Sequence, residues 1–185
     1  DWNAGITNTF VYKGISLRNL IDIQQGGDIY SVDRKNGLAT GLYKETAGLN
    51  SKGYPKRDLP ANGGGILHAE EVYVDGTQNT TFSNAYQWGG DQYYGRTPTA
   101  RYVYDASYVK LREVALSYSL PKSLLSKTFL TKAVFSAIGR NLLILHKNTP
   151  GFDPETGQSS GNRQGVANAS YPTTRSYGFN ITLGF

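Results

Sequence analysis

The sequence predicts an all-β chain, an antiparallel segment of a transmembrane barrel that is incomplete on its own, and three observations predict it. The chain is rich in strand-forming aromatics and turn residues, with Tyr 14, Phe 7 and Gly 22 among 185 residues, while hydrophobic residues reach only 38%. Its regular stretches alternate apolar and polar residues with period two, as in Tyr177, Phe179, Ile181, Leu183 and Phe185 against Ser176, Gly178, Asn180, Thr182 and Gly184. Its connections alternate between short and long, which barrels do because their turns sort to one side of the membrane and their loops to the other.

The elements follow in order. "AGITNTFVYKGISLRNLIDIQQGG" reads as two strands around a tight turn at Lys13-Gly14. Ile6, Phe10 and Tyr12 share one face of the first strand and Ile15, Leu17, Ile21 and Ile23 one face of the second, with Asn8 and Asn19 interrupting them. From Gly26 to about Arg101 the chain is loaded with Gly, Asn, Asp and Pro and reads as one long, mostly irregular loop, in which only "ILHAEEVYVDG" resembles a short strand pair. "ASYVKLREVALSYSLP" is a strand stopped by Pro121. Its apolar parity breaks between Val109, Leu111 and Val114, Leu116, which predicts a bulge near Arg112-Glu113. "KSLLSKTFL" is a short connector with one helical turn, "KAVFSAIGRNLLIL" a further strand, and residues 146–172 a second long loop before the final strand.

Composition narrows the function. No run approaches the roughly 18 apolar residues of a membrane helix, so membrane passage has to use strands, and a mean hydropathy of −0.44 is compatible with alternating barrel strands. Cysteine is absent, which removes disulfides, thiolate metal sites and cysteine nucleophiles. The net charge of +5 does not indicate nucleic acid, because Lys and Arg are scattered and form no basic run. With no Met at any position and no leader, the chain reads as a processed product or a piece of a longer one.

Candidate sites are few. Asp153 and Glu155 in "GFDPETG" offer two loop carboxylates, but without the dense acidic spacing of a calcium hand, and Asp-Pro opens turns; no metal and no cofactor is expected. His68 and His146 lack a paired ligand pattern and read as solvated loop residues. No nucleophile turn, carboxylate pair or triad stands out, so the chain is not read as an enzyme. Tyr86, Trp88, Tyr93 and Tyr94 form the best ligand candidate, since aromatic faces stack on sugars or peptide side chains; the bland alternative is that they pack the loop on itself. Arg140 interrupts an apolar strand, and it faces the lumen, lies beyond a bulge or sits near a headgroup.

The run "YVKLREVALSYSLPKSLL", followed by "GRNLLIL", "GFDPE" and a terminal strand ending in Phe, resembles the C-terminal end of SusC/RagA-like TonB-dependent outer-membrane transporters of the Bacteroidetes. "IDIQQGGDIYS", "ETAGLN" and "PKRD" extend the resemblance over essentially all of residues 1–185. The resemblance implies a plugged barrel of about 22 strands, of which about five are present here. It also implies import of oligosaccharides or peptides in the outer membrane, a SusD-like lipoprotein lid, and contact with TonB through a part N-terminal to Asp1. The last strand then resembles the signal read by the barrel-assembly machinery, with Tyr177, Phe179, Ile181, Leu183 and Phe185 facing outer-membrane lipid. The competing expectation is a surface-exposed β-sandwich module for ligand binding or adhesion, with the aromatic loop as its site.

Overall fold

In a computed structural model the described residues are 1–69, 71–84, 88, 99–157, 164–169 and 171–185. Their strands, in chain order, are β1 (Trp2–Tyr12), β2 (Ile15–Gln25), β3 (Asp28–Ser31), β4 (Ile66–Leu67), β5 (Phe82–Ser83), β6 (Val103–Asp105), β7 (Tyr108–Ser119), β8 (Lys132–Lys147), β9 (Val166–Ala167) and β10 (Ser176–Gly184). Helix α1 spans Val32–Ala39 and α2 Lys122–Leu125. The chain divides into two compact units: residues 1–29, 104–157 and 170–185 form one, and residues 30–103 and 158–169 the other.

The first unit is a five-stranded antiparallel sheet in the order β1-β2-β7-β8-β10. It starts from the predicted hairpin: Lys13 and Gly14 both take positive φ, 44° and 84°, the two-residue turn whose twist matches that of the strands it joins. Pairing then carries each residue's character across the whole sheet. One row runs Phe10, Leu17, Leu116, Ala137, Phe179; the row beside it runs Tyr12, Ile15, Tyr118, Phe135, Ile181. Between these two, on the opposite face, lies Val11, Ser16, Ser117, Ser136, Asn180, where Ser117 and Ser136 bond hydroxyl to hydroxyl at 2.8 Å.

The sheet is therefore apolar on one face and largely polar on the other, and its apolar face is the uncovered one. Phe10 is 62% and Phe179 89% exposed, which in water is an aggregation hazard and in a bilayer is the solvated state. A sandwich would bury these side chains under a second sheet, and among the described residues none lies over them, so the sandwich expectation fails. The sheet is a segment of barrel wall, not closed on itself.

The expected bulge is present. Leu20 pairs with Glu113 and Ile21 with Leu111, leaving Arg112 as the extra residue of β7, while β8 sets Asn141 and Leu142 opposite it between Arg140 and Leu143. Asn141 takes φ 52° at this point. The bulge returns Leu111 and Leu143 to the apolar face in register with Ile21, and it re-aims Arg112 to the polar side. Arg140 lies on the polar face as well, in the row Thr7, Leu20, Glu113, Arg140, Ser176, with its Nε donating to Glu113 Oε2 at 2.9 Å.

The second unit is more regular than the sequence suggested. Ser31, fully buried, caps α1 by accepting from the Arg34 amide at 3.1 Å, and Ser31 and Tyr30 pair in parallel with Ala167 and Val166 of β9. Gly37 lies inside α1 because the Tyr43 ring occupies the place of its missing side chain; a Cβ there would meet Tyr43 Cε2 at 2.3 Å. Leu38, Ile66, Trp88 and Tyr102 form the core, flanked by Tyr30 and Tyr43. The Asn50 side chain holds the following turns, donating to the carbonyls of Gly63 and Gly65 and accepting from the amides of Lys52 and Tyr54. A helix this short, with a Gly in its middle and no acidic residue at the third position, carries too weak a sequence signal to stand out from a loop.

Candidate functional site: an ionic latch between wall and loop

At the long-loop end of the sheet, the polar face gathers Asp22 from β2, Tyr108, Lys110 and Arg112 from β7, Asn141 from β8, and Asp153, Glu155 and Thr173 from the connection between β8 and β10. Alternation places Asp22 and Lys110 on this face as direct cross-strand partners, and the bulge adds Arg112.

Lys110 donates to Asp153 Oδ1 at 2.5 Å and also to Glu155 Oε2. Arg112 grips Glu155 with two parallel bonds, Nη1 to Oε2 at 2.7 Å and Nη2 to Oε1, while its Nε donates to Asp22 Oδ2 at 2.7 Å. The Tyr108 hydroxyl lies 3.2 Å from Asp22 Oδ2 and 3.2 Å from Glu155 Oε1, and it accepts from Arg112 Nη2 at 3.1 Å. Asn141 accepts from Arg112 and passes the contact on, donating to the Thr174 carbonyl at 3.1 Å.

The Lys110 and Asp153 side chains are only 3% and 5% exposed, so neither ion has water to fall back on. Burial pushes the Asp153 carboxyl up, yet hydrogen bonds from Lys110, the Glu155 amide and Thr173 outweigh it and hold the group below the usual carboxylate range. Glu155 is held low in the same way, burial being outweighed by its bonds from Arg112 and Lys110. Carboxylates so fully engaged are neither free bases nor free ligands. What the arrangement does is mechanical: it fastens the base of the 148–175 connection to three adjacent wall strands.

The sequence-derived candidates fall in different places. Tyr177, Phe179, Ile181 and Leu183 line one row of β10 on the apolar face, 74%, 89%, 61% and 46% exposed, and Phe185 stacks on Phe129 just past the strand with ring centroids 5.9 Å apart. Trp88 is a core residue of the second unit, with the Arg101 guanidinium 5.2 Å above its ring. Tyr86, Tyr93 and Tyr94 lie outside the described residues. Of the two histidines, His146 is exposed and bonds to Asn148 Oδ1 at 3.0 Å. His68 departs from the solvated reading: its side chain is 12% exposed, bonded through Nε2 to Ser83 and 3.0 Å from Glu71 through Nδ1.

The latch itself was half visible in the sequence. The parity break flagged Arg112, and "GFDPETG" flagged the two carboxylates, but joining them needs a pairing across more than forty residues that no local pattern carries.

The class that this sheet defines is the wall of an antiparallel membrane barrel with the base of one loop fastened to its polar face. No family model matches the chain. Two curated relatives from Formosa agariphila do. TonB-dependent receptor P3 is 38% identical over 93 residues, covering 47% of this chain and 9% of its own length. TonB-dependent receptor P26 is 26% identical over 189 aligned residues, covering all of this chain and 16% of its own length. Among solved structures, the RagAB peptide importer matches in fold. Its open-open state superposes with a TM-score of 0.60 at 22% identity, over 99% of this chain and 17% of that one. Its closed-closed state gives 0.57 at 23%, over 97% and 17%. The chain is similar in sequence to TonB-dependent receptors and in fold to the RagAB importer, and it spans less than a fifth of the length of each of these proteins.

Proposed function

We propose that the chain is the C-terminal wall and loop segment of a TonB-dependent outer-membrane importer for oligosaccharides or peptides. The observation that carries this reading is the two-faced sheet, five strands wide and uncovered on its apolar side, joined to a likeness over all of this chain to part of a TonB-dependent receptor and to part of the RagAB fold. In this reading residues 26–101 and 146–172 are extracellular, and the latch holds the start and end of the second of these loops on the wall. Transport, and not chemistry, is the work of the intact protein. A SusD-like lipoprotein covers the loops, and TonB acts through parts of the protein outside residues 1–185.

Two roles belong to named residues. Tyr177, Phe179, Ile181, Leu183 and Phe185 present the closing strand to the barrel-assembly machinery and then to lipid. The aromatic stretch at 86–94 contacts substrate or lid through Tyr86, Tyr93 and Tyr94, while Trp88 belongs to the core of the second unit.

The test is deletion of the gene for the intact protein in its own bacterium, followed by growth on a panel of oligosaccharides and peptides as sole nutrient. Loss of growth on one member, restored by the intact gene and by no copy lacking the TonB-contacting part, is the expected result. Unchanged growth on every member, with the protein absent from outer-membrane fractions, overturns the reading.

A further inference from the structure

The apolar face of the sheet is not flat. Ala137 pairs with Leu116 on one side and Phe179 on the other, and this small residue leaves a trough of about 540 Å³ whose walls include Leu116, Tyr118, Phe135, Phe179 and Ile181. Ile15, which also lines the trough, adjoins the β1–β2 turn at the short-turn end of the sheet. There the β1–β2 turn and the β7–β8 connection are tied together by the Ser119 amide, which donates to the Gly14 carbonyl at 2.8 Å.

That end is rich in lysine. Lys13, Lys122, Lys127 and Lys132 are all exposed there, and no Asp or Glu occurs in residues 12–20, 114–136 or 177–185. Among the described residues, no ion pair engages any of the four. Lys13 extends over the ring of Tyr12, 5.2 Å from its centroid, and Tyr12 belongs to the same cross-sheet row as Tyr118 and Phe135 in the trough wall. Amphipathic lysines at a bilayer boundary keep their stems on apolar surface and hold their ammonium groups at headgroup level. An apolar trough at the end of the sheet that carries four such groups is complementary to one kind of molecule: an acyl chain joined to a negatively charged head.

The geometry points to a binding site for an anionic glycerophospholipid, with one acyl chain in the Ala137 trough and the phosphate among Lys13, Lys122, Lys127 and Lys132. This rests on the barrel reading above. The site turns one stretch of wall from general lipid contact into a seat that selects by charge, at the end of the sheet opposite the ionic latch.

The intact protein, reconstituted in phosphatidylcholine vesicles, tests it with small amounts of spin-labelled phosphatidylglycerol or spin-labelled phosphatidylcholine, read by the fraction of label held immobile in the electron paramagnetic resonance spectrum. Phosphatidylglycerol is expected to be preferred by about five-fold or more, since each lysine near a membrane surface favours an anionic headgroup by roughly that factor. Lys13→Gln, Lys122→Gln, Lys127→Gln and Lys132→Gln together are expected to bring the two lipids to parity, and Ala137→Phe to release the immobile phosphatidylglycerol with the lysines intact. Ala137→Leu replaces Ala137→Phe if the latter does not give the heat-modifiable gel band of a folded barrel. Equal immobilisation of the two lipids by the unaltered protein overturns the site, and so does a preference that survives filling the trough. Failure of the intact protein to insert into vesicles at all overturns the barrel reading instead, so the two are told apart.

Discussion

Asn8 and Asn19 face one another across the first hairpin, on the apolar side of the sheet, and Asn8 Nδ2 donates to Asn19 Oδ1 at 3.3 Å. The two residues that interrupt otherwise apolar faces in the sequence are thus each other's partners. A polar group facing hydrocarbon costs far less when its hydrogen bond is made than when it is left open.

Asn8→Leu alone is expected to destabilise the intact barrel by about 1 kcal/mol, because it strands the Asn19 amide, while Asn8→Leu with Asn19→Leu is expected to be neutral or stabilising. Guanidinium unfolding of the reconstituted protein, run as a double-mutant cycle, reads the coupling. Additive single effects would show that the pair does not interact.

Lys110→Met leaves Asp153 buried without its cation and is expected to cost about 3–5 kcal/mol locally, seen as protease cleavage within 148–175 while the barrel stays folded. Lys110→Met with Asp153→Asn removes both charges and is expected to restore much of the resistance. If the single variant resists cleavage like the unaltered protein, the latch does not hold the loop.

Acid is expected to release the same loop. Asp153 and Glu155 have folded values below their unfolded ones, so their contribution is present in full above the ordinary carboxylate range, near 4, and is lost as pH falls through the lowered folded values. Hydrogen exchange of residues 148–157 is therefore expected to stay slow from neutral pH down to about 4 and to accelerate below it. Acceleration that begins near pH 6 would point to a different group.

Gly37→Ala sets two effects against each other. Alanine favours a helix interior by about 1 kcal/mol, but its Cβ would lie 2.3 Å from the Tyr43 ring, and overpacking of that kind costs about 1–3 kcal/mol. Net destabilisation of the second unit is expected, visible as faster proteolysis within residues 30–69. Pairing it with Tyr43→Ala removes the clash and lets the helix preference emerge.

Much of the wall was legible in the sequence because a sheet with one face in lipid imposes period two on every strand, and a single break in that period locates a bulge, as it did at Arg112. The hairpin at Lys13-Gly14 and the helical turn at α2 were legible for the same local reasons. What escaped was set by distant residues. Gly37 inside α1 reads as a helix breaker until Tyr43 is seen against it, and Asp153 reads as a loose loop acid until Lys110 arrives from forty-three residues away. The orientation of Arg140 was undecidable locally, because Ile138 shares its side; only the cross-strand row with Glu113 assigns both to the polar face.

The order β1-β2-β7-β8-β10 leaves β1 and β10 at the margins, eleven and nine residues long and paired on one flank only. A row of open amides beside a greasy face is adhesive toward any strand it meets. Handled apart from neighbouring strands, this stretch of protein would stack with copies of itself into insoluble ribbons. Within a ring it has no free flank to offer, so closure keeps such a wall soluble in its bilayer and inert toward its own kind.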